Sequence, residues 1–199
     1  MRRLVISTSS AACSIALLDG DAVVASAHDE VGRGHAERLL PMIAALPDNG
    51  RAEAIVVDVG PGSFTGVRVG LAAARALGLG WSVPVTGVAS TLLIAAQAFA
   101  EAPEIGMLAV VLLGGHGEVF VERFSREGLT VIHPLASLKP ADAAALVGDT
   151  PVFGSGVSLI GRGEHRVPHA TAMTLLDPAF AALPPSPRYG RAPDAKLPA

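Results

Sequence analysis

With 199 residues, half of them hydrophobic, the chain can bury a real core as one large domain or two small lobes, which excludes a disordered protein. A net charge of −3 and only two lysines, Lys139 and Lys196, give no field that would hold nucleic acid unaided. The lone Cys13 rules out an intrachain disulfide framework and reads as a small core side chain; the opening MRRLVISTSS is too short for a signal peptide, no apolar run reaches the roughly 18 residues of a membrane span, and the chain is read as soluble and cytoplasmic.

Residues 3–8, 13–18 and 22–28 read as three strands of an antiparallel meander, joined by a Ser-rich turn and by Asp19-Gly20-Asp21. Gly32 to Gly34 break the pattern. His35 to Leu46 is helical in period, with Leu39, Met42, Ile43 and Leu46 on one side, and Pro41 is expected to bend it or confine its regular part. His35 reads as a helix-start or partner-contact residue. Ile55, Val56, Val57 and Val59 form a β-branched run suited to a strand covered on both faces. Gly60-Pro61-Gly62 then turns the chain into a helix from Ser63 to about Leu79, capped by Ser63. On a wheel of about 100° per residue, Gly66, Gly70, Ala74 and Gly78 form a ridge of small residues. Only Arg68 and Arg75 are charged, and a helix so apolar is expected to be buried on more than one side, against the sheet and against a second helix.

A strand at Val83 to Val85 and a helix from Ser90, acting as its cap, to about Ala100 follow. The opening plan then recurs: Met107–Leu113, Glu118–Phe124 and Leu129–His133 read as three more strands, followed by a helix at Pro140–Val147 and a strand stub at Val152–Phe153. This divides the chain into an N-terminal unit, 1–103, a shortened second unit, 104–183, and a proline-rich tail, 184–199, with little to bury.

Several chemistries lack their parts. The glycines at 60, 62 and 66 miss the dinucleotide-binding spacing, and no acid follows for a ribose. A P-loop lacks its Gly-Lys-Ser/Thr ending, and no G-x-S-x-G surrounds Ser63, Ser155 or Ser158. His165 and His169 are spaced as a helical metal pair would be, but Pro168 and nearby glycines argue for a loop. No cofactor or metal site is expected. The duplicated β-β-β start is the plan of the actin-like ATPase and sugar-kinase superfamily, an α/β, two-lobed fold (ASKHA, ribonuclease H-like). There a first-turn acid serves Mg²⁺ or the attacking water. Here the two turns, Ser7-Thr8-Ser9-Ser10 and Gly114-Gly115-His116-Gly117, contain no carboxylate.

GPGSFTGVRVGLAAARALGLG, residues 60–80, closely resembles the signature of the TsaB (YeaZ) family, whose members are non-catalytic subunits of the bacterial complex that makes threonylcarbamoyladenosine in tRNA. The resemblance extends to ACSIALLDG at 12–20, HAERLLPMI at 35–43, GEVFVERF at 117–124 and the tail from Tyr189 to Lys196. It implies two actin-like lobes and a helical interface with the catalytic subunit TsaD, itself an actin-like paralogue, in a complex that also uses the ATPase TsaE. A homodimer would be the alternative when the chain is alone, and tRNA would be met only through the complex. Carried over, the partner surface comprises His35, Leu39, Met42 and Ile43 on one helix, and Val67, Arg68, Leu71, Ala72 and Arg75 on the next. The chain departs from the family pattern in having Ser7 where an Asp is usual, Leu113-Gly114-Gly115 for an Asp-Ala-Arg-like turn, and Tyr189-Gly190-Arg191 for Tyr-Leu-Arg. The competing reading is an enzyme, either a small kinase or ATPase of the same superfamily or a metallopeptidase.

Overall fold

The computed structural model describes residues 1–190. Strands β1 (Arg2–Ser7), β2 (Ala12–Asp19), β3 (Ala22–Glu30), β4 (Ala54–Asp58) and β5 (Val85–Val88) form a five-stranded sheet in the order β3-β2-β1-β4-β5. The meander pairs antiparallel, whereas β1, β4 and β5 run parallel. Successive side chains of a strand face opposite ways, and both faces of β1 are covered. Leu4 and Ile6, with Ile15, Leu17, Ile55 and Val57, pack on α1 (His35–Ala44) and α2 (Phe64–Trp81). Val5, with Ala16, Leu18 and Val56, faces the opposite layer.

That layer is α3 (Ser90–Glu101), beyond which lies a second sheet of β6 (Met107–Leu113), β7 (Val119–Ser125), β8 (Thr130–Leu138) and β9 (Val152–Phe153), ordered β8-β7-β6-β9. Leu108, Val110, Leu112, Phe120 and Phe124 close the central core from this side. On the outer face of the second sheet, Ala109, Val111, Val119 and Val121 meet α4 (Pro140–Val147). The β-β-β-α-β plan thus occurs twice, the second copy having no counterpart of β5 among the described residues; the fold is the two-lobed actin-like one expected. The expected boundary at 103/104 falls between α3 and β6, and the core is continuous across it.

Three local expectations change. The helix enclosed on nearly every side is α3, in which Ser90 to Ala96, Ala98 and Phe99 are buried. The Ser63–Leu79 helix instead keeps an exposed stripe. Its small-residue ridge faces the chain's own sheet: a Cβ on Gly66 would lie 2.0 Å from the Thr8 carbonyl oxygen, so only glycine allows this approach. Pro41 does not interrupt α1; it sits on the exposed side, where solvent can serve the carbonyl that its missing N–H leaves free. Ser63 does cap α2, accepting from Gly66 N. Ser90 caps nothing, since Ala89 holds the N-cap position of α3 and the Ser90 hydroxyl is used elsewhere. Among the described residues no helix is long and apolar enough to cross a membrane.

Candidate functional site

The residues expected on a partner face separate by burial. Leu39, Met42 and Ile43 of α1, and Val67 and Leu71 of α2, lie in the chain's own core, because their helices present the apolar face to the first sheet. His35 is also buried, its Nε2 lying 2.9 Å from the Ser10 carbonyl oxygen, where it ties the start of α1 to the first turn. In the folded lobe these side chains present little surface to a partner. Arg68, Ala72 and Arg75 do face outward, joined by Thr65, Ala76 and Leu79, which is 84% exposed. Helix α2 carries no acidic residue.

A strap formed by residues 183–190 crosses the edge of this face, although composition marked the tail as having little to bury. Leu183 exchanges both backbone hydrogen bonds with Gly87 of β5, at 2.7 and 3.1 Å, and Arg188 N donates to Val59 O at 2.7 Å. Arg75 donates to the Pro185 carbonyl. The Arg68 guanidinium lies 3.5 Å over the Phe64 ring and donates to the Tyr189 hydroxyl at 3.0 Å. Arg188 reaches into the second lobe, donating to both oxygens of Glu122 at 2.8 and 3.3 Å. Glu122 is 1% exposed and also accepts from Thr91 at the start of α3. Burial makes such a charge tolerable only when it is paired and hydrogen-bonded. The Arg191 and Lys196 portion of the family-like tail lies outside the described residues.

Asp58, at the end of β4, is fully buried behind the first turn. Its carboxylate accepts from the hydroxyls of Ser7 at 2.7 Å, Ser9 at 2.5 Å and Ser90 at 2.5 Å, and from Gly60 N at 2.9 Å. Burial pushes this carboxyl above its ordinary value, opposed by the hydrogen bonds from Ser9, Ser90, Ser7 and Gly60. The first turn therefore has an acid after all, contributed by the neighbouring strand. Neither Asp58 nor Glu122 was singled out from the sequence, yet each was visible as one carboxylate inside an apolar run, IVVDV and VFVERF.

Between the two β-hairpin turns lies a cleft of about 910 Å³. The first turn lines it with Ser9 and Ser10, the second with Gly114 and His116, and the strap with Arg188 and Tyr189; among the described residues no Asp or Glu lines it. Asp58 stands behind this wall with its oxygens already hydrogen-bonded. His165 lines the cleft from a loop, while His169 stacks on His28 with ring centroids 4.0 Å apart, so the two do not converge as a metal pair. No group of three or more His, Cys, Asp or Glu among the described residues is placed to hold a metal ion.

Comparison with known proteins places this geometry among relatives. A family model described as "TsaD: tRNA N6-adenosine threonylcarbamoyltransferase" matches residues 26–150. The Escherichia coli K12 "tRNA threonylcarbamoyladenosine biosynthesis protein TsaB" is 35% identical over 139 residues, covering 67% of this chain but 59% of the relative's own length. An uncharacterised Mycobacterium tuberculosis H37Rv protein is 35% identical over 173 residues, covering 82% of this chain and 78% of its own. Among solved structures, YeaZ from Pseudomonas aeruginosa superposes with a TM-score of 0.74 at 26% identity, covering 87% of this chain and 89% of that one. Identity over most of the chain and a shared two-lobed backbone agree with the glycine signature of α2: the chain belongs to the TsaB (YeaZ) family.

Proposed function

We propose that this chain is a non-catalytic subunit of the apparatus that makes threonylcarbamoyladenosine in tRNA, and that it binds and activates a TsaD-type catalytic subunit. The observation that carries this reading is the outward stripe of α2, which is small or apolar at Ala72, Ala76 and Leu79, flanked by Arg68 and Arg75, and free of acids. A partner helix can approach closely there, and α1 also exposes Leu40. TsaE joins the assembled complex, and tRNA is reached only through it, in keeping with the net charge of −3. Without the catalytic partner, the same stripe is available to a second copy of the chain. Against the enzyme reading stands a cleft whose described lining residues include no carboxylate to hold a metal or orient a nucleophile.

Ala72→Arg tests the reading. It places a long charged side chain where a partner backbone belongs, and burying that charge unpaired costs several kcal/mol. About 1.4 kcal/mol already weakens association tenfold. Because Ala72 is exposed, the melting temperature should stay near that of the wild type while association with TsaD falls at least about tenfold. Unchanged association would remove α2 from the interface. ATP turnover by the chain alone that survives stringent purification, and is lost on mutation of either hairpin turn, would instead favour the enzyme.

A further inference from the structure

The two arginines of α2 raise a question that the helix alone does not answer. Both guanidiniums are held by neutral oxygens of the strap, Arg68 by the Tyr189 hydroxyl and Arg75 by the Pro185 carbonyl. Among the described residues neither has a carboxylate in contact. Their orientations are fixed, no described residue neutralises their charges, and Phe64 and Tyr189 beside them are 58% and 48% exposed. Phe64 and Tyr189 lie 5.8 Å apart, both offering a ring to the Arg68 guanidinium. Exposed aromatic rings packed around an arginine are the composition of a binding hot spot.

We propose that the docking face is composite, formed by Phe64, Arg68, Ala72 and Arg75 of α2 together with Pro185 and Tyr189 of the strap. Its occupant is a helix of the catalytic partner that carries carboxylates on either side of a small-residue centre. This rests on the reading that such a subunit docks on α2. Charge complementarity selects the occupant, since the face offers two cations and α2 no anion. The strap also suits the role because it is ordered in advance. Arg188, next to Tyr189, is fixed on the buried Glu122, and a Cβ on Gly190 would meet the Phe120 ring at 2.3 Å. Little further ordering of Tyr189 is needed on binding, so its contacts add to affinity.

The experiment titrates the full chain with a TsaD-type catalytic subunit by calorimetry at low and at raised salt. Tyr189→Ala should weaken association about tenfold while leaving the thermal melt close to wild type. Arg75→Glu should weaken it as well and reduce its salt dependence. If the alanine variant melts early, Tyr189→Phe takes its place; it keeps the ring, loses the anchor on Arg68, and should show a smaller loss in affinity. Wild-type affinity for the Tyr189 variant, alongside abolished binding by Ala72→Arg, would overturn the composite face and leave the docking of α2 standing. Wild-type affinity for both variants would overturn the docking reading itself. Binding that Arg75→Glu strengthens would overturn the acidic occupant.

Discussion

The Ser7 hydroxyl donates to Asp58 Oδ2 at 2.7 Å, across the ends of two parallel strands whose last paired residues are Ile6 and Val57. A carboxylate thus reaches the first turn from one strand over. Asp58 is enclosed by Ser7, Ser9, Ser90 and Gly60, so it ties together the first turn, the glycine turn and the start of α3.

Removing this tie should be costly, and its pH dependence has a definite sign. Asp58→Ala leaves buried hydroxyls and an N–H short of an acceptor, a loss of about 2–4 kcal/mol in denaturant unfolding. For Asp58→Asn the comparison runs over pH. Burial raises the folded carboxyl above 3.8, so its contribution to stability is fully present below that value and is lost as pH rises through the folded value. The Asn variant should therefore gain on the wild type as pH rises from about 4 to about 8. A difference that grows in the opposite direction would mean that the four donors outweigh burial.

Glycines on α2 offer a paired test of its packing. Gly66→Ala would put a Cβ 2.0 Å from Thr8 O, and because the obstacle is backbone it cannot turn aside. Overpacking of this kind costs about 1–3 kcal/mol or more. Gly80 on the same helix has nothing within 4 Å of the added Cβ, and there alanine should stabilise by about 0.5–1 kcal/mol through helix propensity. Equal melting temperatures for the two variants would show that the ridge is not in contact with the first turn.

The fold was legible because both sheets are patterned by what covers them. Strands near the centre are apolar on both faces, and their turns are punctuated by Asp-Gly and Gly-rich runs. The α2 stretch was legible as a motif, but its faces were misjudged. A helical wheel groups Leu71 with Ala72 beside the arginines, yet Leu71 packs inward and Ala72 outward, a division set by how the helix is rolled on β4. Roll is a tertiary quantity that periodicity does not fix. The strap was missed for a different reason. A proline-rich segment with one tyrosine gives no periodic signal, and its order comes from long-range partners, Gly87, Val59 and Glu122, that only the folded chain brings near.

Arg188 and Glu122 permit a double-mutant cycle. Arg188→Met leaves Glu122 buried with only Thr91 among its described side-chain partners, and should cost about 3–5 kcal/mol in unfolding free energy. Glu122→Gln in the same background removes the stranded charge and should recover much of that loss. Additive single effects would show that the two side chains do not interact in solution.

His169 gives the last prediction, whose sign is opposite to that of Asp58. Its ring is stacked on His28, and Nδ1 lies 3.0 Å from the Thr171 hydroxyl. Burial, reinforced by the neighbouring His28, lowers its folded value below 6.5. In the window between the folded value and 6.5, the unfolded chain binds a proton that the folded chain refuses. The stability His169 contributes is therefore complete above pH 6.5 and is lost as pH falls toward the folded value. His169→Gln removes the titration and leaves a side chain able to reach Thr171, so its acid limb should be flatter than that of the wild type. Acidification makes Asp58 easier to bury and His169 harder, so the two partly cancel in the wild-type curve and separate only in the paired variants. Denaturant midpoints at about pH 5 and about pH 7.5 suffice for the measurement. Parallel wild-type and His169→Gln curves across that interval would show that this imidazole titrates alike in the folded and unfolded chains.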